Sequence, residues 1–330
     1  MIYINVDKIW NTQIYDNELA SQHNGHGWVS NIYSAGGRDT NYVDTNTVEY
    51  IAIDDSMAPV TTSHTTRVLR GTTGGSNGTD ALYGSGANGN GLTGQIEKFN
   101  LQINVEVTIS NSWTGLNRYF KSSCATKNHV VWNGGEDLSN ATSSHTRYLR
   151  FDDTVSHLGL GNNTNLSARS RAQMASNGLD ALVAGGVSTG PNTAFGTTIE
   201  RFRADWSSGD SVFNTVFNNN ISFNVRNGAA VSSGDSFIIF GGRNLDTNSP
   251  STQHSKITFD DTAVTDIAVP GGIGAYVMIG GVMSGDAYYS VGGFSASGQV
   301  TKYKDSDTAS ATVFTNSMSD RQMHATFGGY

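Results

Sequence analysis

The chain has 330 residues with 39 glycines and 4 prolines, 37% hydrophobic and 15% charged. It is too apolar to stay disordered and too rich in glycine for helices, which leaves an all-β fold. Its length exceeds what one compact core fills, so it is either several domains or an array that grows by repetition. A formal charge of −8 with only 20 Lys and Arg offers no basic stripe for phosphates, which argues against a nucleic-acid partner and against an anionic membrane surface. Met1 runs straight into the strand-like IYINVDKI, so neither a signal peptide nor a membrane-inserted span is expected, and synthesis in a cytoplasm is. The single cysteine, Cys124, has no partner for an internal disulfide.

Six apolar runs end in glycines: IYSAGG at Gly37, ALYGSG at Gly86, VVWNGG at Gly135, ALVAGG at Gly186, FIIFGG at Gly242 and YYSVGG at Gly293. Their spacing is close to the ~50 residues of a propeller blade. Most are preceded by a short apolar segment and a tight turn such as SNG or SGD, where glycine accepts the positive φ of a hairpin. Each is followed by an alternating strand, as in TVEYIAIDD, QIEKFNL, RYLRFDD and KITFDD, and then by a fourth segment such as INVEVTI or TATVF.

This pattern predicts one domain over residues 1–330, a seven-bladed β-propeller of four-stranded antiparallel blades. The blades are expected at 24–62, 67–112, 118–164, 170–220, 225–270 and 275–316, with a last blade shared by the two termini, 320–330 with 1–20. RQMHATFGGY reads as the inner strand of that blade, and IYINVDKI and TQIYDNEL as its outer strands. Joining both termini in one blade removes exposed sheet edges.

Arg118, Arg171, Arg226 and Arg321 precede the first strand of their units, and Glu49, Glu97 and Glu200 fall in third strands of the form hydrophobic-Glu-x-aromatic. With the Gly-Gly ends, this resembles the kelch motif of galactose-oxidase-like propellers over essentially the whole chain. In that family such Arg and Glu are structural. The regular Tyr and Trp of animal kelch repeats are missing, and the style is closest to the Gly- and Thr-rich kelch-like repeats of bacteriophage structural proteins. The family's enzyme holds copper with two Tyr and two His, one Tyr crosslinked to Cys; Cys124 sits in SSCATK with no Tyr-rich surroundings and reads as a small buried hydrophobe.

Other chemistry is sparse. His23 and His26 lack a third ligand at a recognisable spacing. His145 and His254 read as the same point of two blades, just before the third strand, where a ring can hydrogen-bond a loop carbonyl. The pairs Asp54/Asp55, Asp152/Asp153 and Asp260/Asp261 end third strands without a calcium-type D-x-D-x-D-G loop, and serve as turn caps. No HExxH, CxxC or P-loop occurs, so no catalytic residue, metal or cofactor is expected.

Loops between second and third strands vary in length, whereas the first hairpin turns are short and alike. Variable loops on a rigid scaffold are where binding resides. They carry Arg38, Asp39, Tyr42, Glu136, Asp137, Phe195, Arg243, Asn244 and Asp246, a polar surface for protein or carbohydrate. The expected function is a non-enzymatic virion protein, a tail-fibre, spike or capsid-decorating component. It would be made without a signal peptide, be embedded among other virion proteins in a larger assembly, and face a host-surface glycan or protein receptor. The alternatives are a cellular kelch interaction module and, third, a carbohydrate enzyme.

Overall fold

The computed structural model describes residues 30–39, 41–53, 59–64, 70–88, 91–101, 105–109, 118, 120–126, 128–152, 166–188, 198–203, 214–217, 221, 225–259, 264–267, 279–284, 287–293, 298–304, 311–315, 321–322 and 324–329. They are all-β without a helix, arranged as small antiparallel sheets. The first sheet runs in the order Ala325–Gly329, Asn31–Ala35, Thr47–Ala52, Pro59–His64, and the second Thr73–Ser76, Asp80–Asn88, Gly91–Asn100, Val105–Ile109. The third has Ser122–Ala125, His129–Asn133 and Thr146–Arg150; the fourth Gln173–Ser176, Asp180–Ala184, Ile199–Arg203 and Asn214–Phe217. The fifth has Ala229–Ser232, Ser236–Phe240, His254–Thr258 and Val264–Ile267, and the sixth Gly280–Ser284, Ala287–Val291, Val300–Lys304 and Ala311–Phe314.

The second strand of each sheet is apolar on both faces because it is covered from both sides. In the fifth sheet, Phe237 and Ile239 face the fourth sheet through a core shared with Leu182 and Ile199, while Ile238 and Phe240 face the sixth through a core shared with Met283, Tyr288 and Tyr303. Side chains that alternate across a strand make this division automatic. Among the described residues there are six such cores, each filled from two consecutive sheets, and Ile32, Ile51, Val282 and Tyr289 fill the one that joins the sixth sheet to the first. The first-listed strands likewise contact one another in cyclic order, Gly280–Ser284 touching Ala325–Gly329 and the latter touching Thr73–Ser76. These inner strands surround one cavity of about 170 Å³, lined from all six sheets.

The glycine ends have a steric cause. A Cβ on Gly134 would lie 2.2 Å from the Arg169 carbonyl oxygen, and one on Gly185 2.5 Å from that of Val225, each in the next sheet's entry segment. Both glycines are also left-handed, at φ 71° and 68°. At the opposite end, Lys98 and Arg201 occupy one register position in their sheets. Each salt-bridges the aspartate that opens its second strand, Asp80 or Asp180, and donates to a carbonyl of the following sheet, Phe151 or Phe259.

The seventh unit has no sheet of its own among the described residues. Ala325–Gly329 is an inner strand, as expected, but it pairs with Asn31–Ala35 and completes the unit that was expected to be whole at 24–62. Residues 1–20, expected as the outer strands of a seventh blade, lie outside the described residues, as do the fourth strand of the third unit and the Asp54/Asp55 and Asp260/Asp261 pairs.

A binding face at the glycine ends

Two loops leaving the glycine ends share one construction. Asp39 Oδ1 accepts the N–H of Asn41 (2.9 Å) and Val43 (2.8 Å), with Tyr42 at φ 64°; Asp137 Oδ1 accepts Ser139 (2.9 Å) and Ala141 (3.0 Å), with Asn140 at φ 62°. A third loop, one residue longer, uses an amide in a related way, Asn244 Oδ1 accepting Asp246 N–H (2.8 Å) and Thr247 N–H (3.2 Å), with Asn248 at φ 55°. Short Asx side chains mimic a backbone turn in this way. Asp39, Asp137 and Asn244, expected among the residues of the binding loops, hold their own loops. The Ser139 hydroxyl and these N–H donors keep the Asp137 carboxyl below the usual range.

The first loop residue differs among the three. Arg38 Nε meets Asp44 Oδ1 at 2.7 Å, and Arg70 of the second sheet reaches the same carboxylate at 3.4 Å. Glu136 is 2% exposed and faces inward, accepting Arg171 Nη2 (2.6 Å) and the Ser170 hydroxyl (2.6 Å) of the fourth sheet. It ties two sheets together. Arg243 is half-buried. Tyr42 is 63% exposed beside Val43 at 59%, and Leu138 stands out at 70% in the equivalent turn. Asp246 is exposed, and Phe195 lies outside the described residues.

Residues after the glycines also clasp the segment that leads into an inner strand. Arg38–Asp39 pairs with Arg321–Gln322, and Arg243–Asn244 with Val225–Arg226, while single bridges join Ala87 to Arg70 and Val187 to Ser170. Two residues before their inner strands, Gly71, Phe120, Arg171 and Asn227 all adopt positive φ, between 53° and 63°. Arg171 N–H donates to Phe120 O and Asn227 N–H to Arg171 O, so the turns chain neighbouring sheets together. For Phe120 and Arg171 this backbone costs about 1–2 kcal/mol each, which the inter-sheet bonds offset.

The arginines thought equivalent are not in one register. Arg118 and Arg321 lie four positions ahead of their inner strands, Arg226 three and Arg171 two. Arg169, which sequence reasoning passed over, matches Arg118, and its buried guanidinium holds Glu200 together with the Ser167 N–H and hydroxyl. Glu49, Glu97 and Glu200 do share a register, and all are buried. In the third sheet that position is Arg147. Beside the cavity, burial first and then Arg118 and Arg147 push the Lys121 ammonium well below its ordinary pKa.

His145 and His254 prove to be one residue out of step. His254 pairs with Phe240, whereas in the third sheet the residue opposite Asn133 is Thr146. A one-residue shift turns the side chain to the other face. His145 Nδ1 stays at the loop on Ser143 Oγ (2.8 Å), while His254 is buried against Phe240 and Tyr303 with Nδ1 on Tyr288 OH (2.8 Å). Cys124 is a buried free thiol on the third inner strand, as its apolar reading anticipated. Among the described residues no group of three His, Cys, Asp or Glu could hold a metal, and no helix is long and apolar enough to cross a membrane. No family model matches the chain, and no curated protein matches it.

Proposed function

We propose that the six sheets are the blades of a kelch-like β-propeller with six rather than seven blades, and that the chain is a non-catalytic binding module. The reading rests on one observation above others. Three loops, each held by an Asp or Asn side chain accepting its own backbone N–H groups, leave the same end of alternate units, the first, third and fifth, and their hydrogen bonds hold exposed side chains such as Tyr42 and Leu138 in place. A ring of mutually buried sheets is a rigid base for such loops. Their tops combine exposed apolar groups with arginines and loop amides, a surface suited to a protein or a glycan.

The setting proposed for this module is a virus particle, where it serves as a tail-fibre, spike or decorating component that contacts other virion proteins and a receptor. Its support is the style of the Gly-, Thr- and Asn-rich repeats. The test has two parts: probing purified virus particles with an antibody to the protein, and replacing 243–253 by the short FSASG type of connection. Detection in particles, with loss of receptor or glycan binding at an unchanged melting temperature, is the expected result. A folded variant that binds unchanged overturns the binding face; absence from particles overturns the setting.

A further inference from the structure

The cavity between the inner strands, about 170 Å³ in volume, is lined from all six sheets, and part of its polar wall is unbonded. Gln173, 3% exposed, donates from Nε2 to the Arg171 carbonyl oxygen at 2.9 Å, which fixes the other end of its amide as the oxygen. That Oε1 is buried without a hydrogen-bond partner among the described residues, and so are the hydroxyls of Thr72, Thr73 and Thr326. All of these residues line the cavity. Thr73 and Gln173 hold one register position in the second and fourth sheets, opposite Gly84 and Ala184. In the third sheet that position is Ser122, whose hydroxyl is satisfied by the Asn133 carbonyl oxygen at 3.4 Å.

The unbonded atoms are spread around the cavity. Because the inner strands touch in cyclic order, the first sheet, with Thr326, and the fourth, with Gln173, stand three steps apart in either direction. Room is left for the Thr326 hydroxyl, since a Cβ on Gly280 of the sixth sheet would lie 1.4 Å from its oxygen. Elsewhere the wall is apolar, with Val231, Ile279 and Met283 beside glycines. Buried polar atoms in folded proteins are almost always paired, with protein or with something bound. Several unpaired atoms around one void therefore describe a shape and a bonding pattern that a guest can complete.

We propose that this cavity binds one ring of a neutral polyhydroxylated ligand, a monosaccharide or cyclitol, whose hydroxyls bond Gln173 Oε1 and the hydroxyls of Thr72, Thr73 and Thr326. Gln173 Oε1 only accepts, so the guest must bring a donor, which a sugar hydroxyl does and a carboxylate or phosphate oxygen does not. The size agrees, because a cavity of about 150 Å³ holds one six-membered ring. Water satisfies the same polar atoms, but a ring adds dispersion contact between its C–H faces and Val231, Ile279 and Met283. The site goes beyond the binding face proposed above, since no residue of the three Asx-held loops lines it.

The test is calorimetric titration of the full chain with D-glucose, N-acetyl-D-glucosamine and myo-inositol, with glucuronate as the acidic comparison. At least one neutral probe is expected to bind saturably at one per chain, tighter than glucuronate, and to raise the melting temperature by about 2 °C or more near saturation. Saturation separates this from the general stabilisation that excluded sugars give any protein. Thr72→Val combined with Thr73→Val should weaken binding by about tenfold or more, two hydrogen bonds being lost, without lowering the ligand-free melting temperature. Should that double variant misfold, Thr72→Val alone decides, with a loss of about threefold or more. If no neutral probe binds saturably, if glucuronate binds tighter than all of them, or if the double variant binds within twofold of the parent, the site is wrong. A titration lost on replacing 243–253 but kept in the double variant would put the probe on the loop face and overturn the cavity. Receptor binding lost on that replacement while no probe binds removes this site and leaves the binding face standing.

Discussion

The hydroxyl of Ser85 donates to the backbone oxygen of Arg118 at 3.2 Å, and the equivalent oxygens of Arg169 and Val225 press on Gly134 and Gly185. All three first residues are left-handed, Ser85 at φ 56°. One unit has therefore converted the close approach into a hydrogen bond. Gly134→Ala and Gly185→Ala should each cost more than the ~1–2 kcal/mol of the backbone alone, since the contact must also open. Ser85→Gly should cost less than about 1.5 kcal/mol, the worth of one hydrogen bond. Urea melts of the three variants check the order.

The Arg169–Glu200 pair is buried on both sides, 1% exposed in each side chain. Glu200→Ala should destabilise by about 3–5 kcal/mol, because it strands a buried guanidinium, whereas replacing both by Met and Leu should cost much less. Equal losses in the single and double variants, measured by chemical denaturation, would contradict the pairing.

Burial lowers the His254 pKa to about 3, so the ring stays neutral in the folded protein at ordinary pH. The unfolded chain takes a proton below about 6.5 and the folded one does not. Stability from this residue is therefore full above pH 6.5 and falls towards pH 3, at up to about 1.4 kcal/mol per pH unit. His254→Gln should flatten the acid limb of stability against pH by one proton. A variant with the parent's slope would show that His254 titrates freely.

Burial also pushes the Cys124 thiol up, and the residue is 5% exposed. A thiol reagent at pH 8 should label the native protein only as fast as the third inner strand opens, and label it at once in denaturant. Immediate labelling of the native protein would place Cys124 at the surface.

The six glycine ends were legible because the demand for a left-handed residue there is local, met by glycine in five units and by Ser85 in the second. The short turns were legible for the same reason, with Asn77 and Asn177 accepting the N–H groups that follow them. Register was not. His145 and His254 look equivalent in sequence because a one-residue difference in loop length is invisible there, yet it decides which face a side chain takes. The partner of 325–329 was missed because pairing is a property of distant residues, and nothing in RQMHATFGGY distinguishes Asn31–Ala35 from the other second strands. Of the loop residues, Glu136 turns its carboxylate inward to Arg171, a contact the sequence does not mark, and the Arg226–Arg243 opposition emerges only once the clasp is paired.

The pairing of Asn31–Ala35 with Ala325–Gly329 sets an order of events in time. A ribosome would emit five sheets with all their inner strands before it made the strand that completes the first. Until then Asn31–Ala35 has an unpaired edge, a state prone to joining another chain. Loop closure over such a length is entropically costly and comes late. Cleavage just before Ala325 after assembly would thus leave a complex of two pieces whose stability depends on concentration, and a peptide carrying the Ala325–Gly329 strand, added back, would act as its own inhibitor of aggregation.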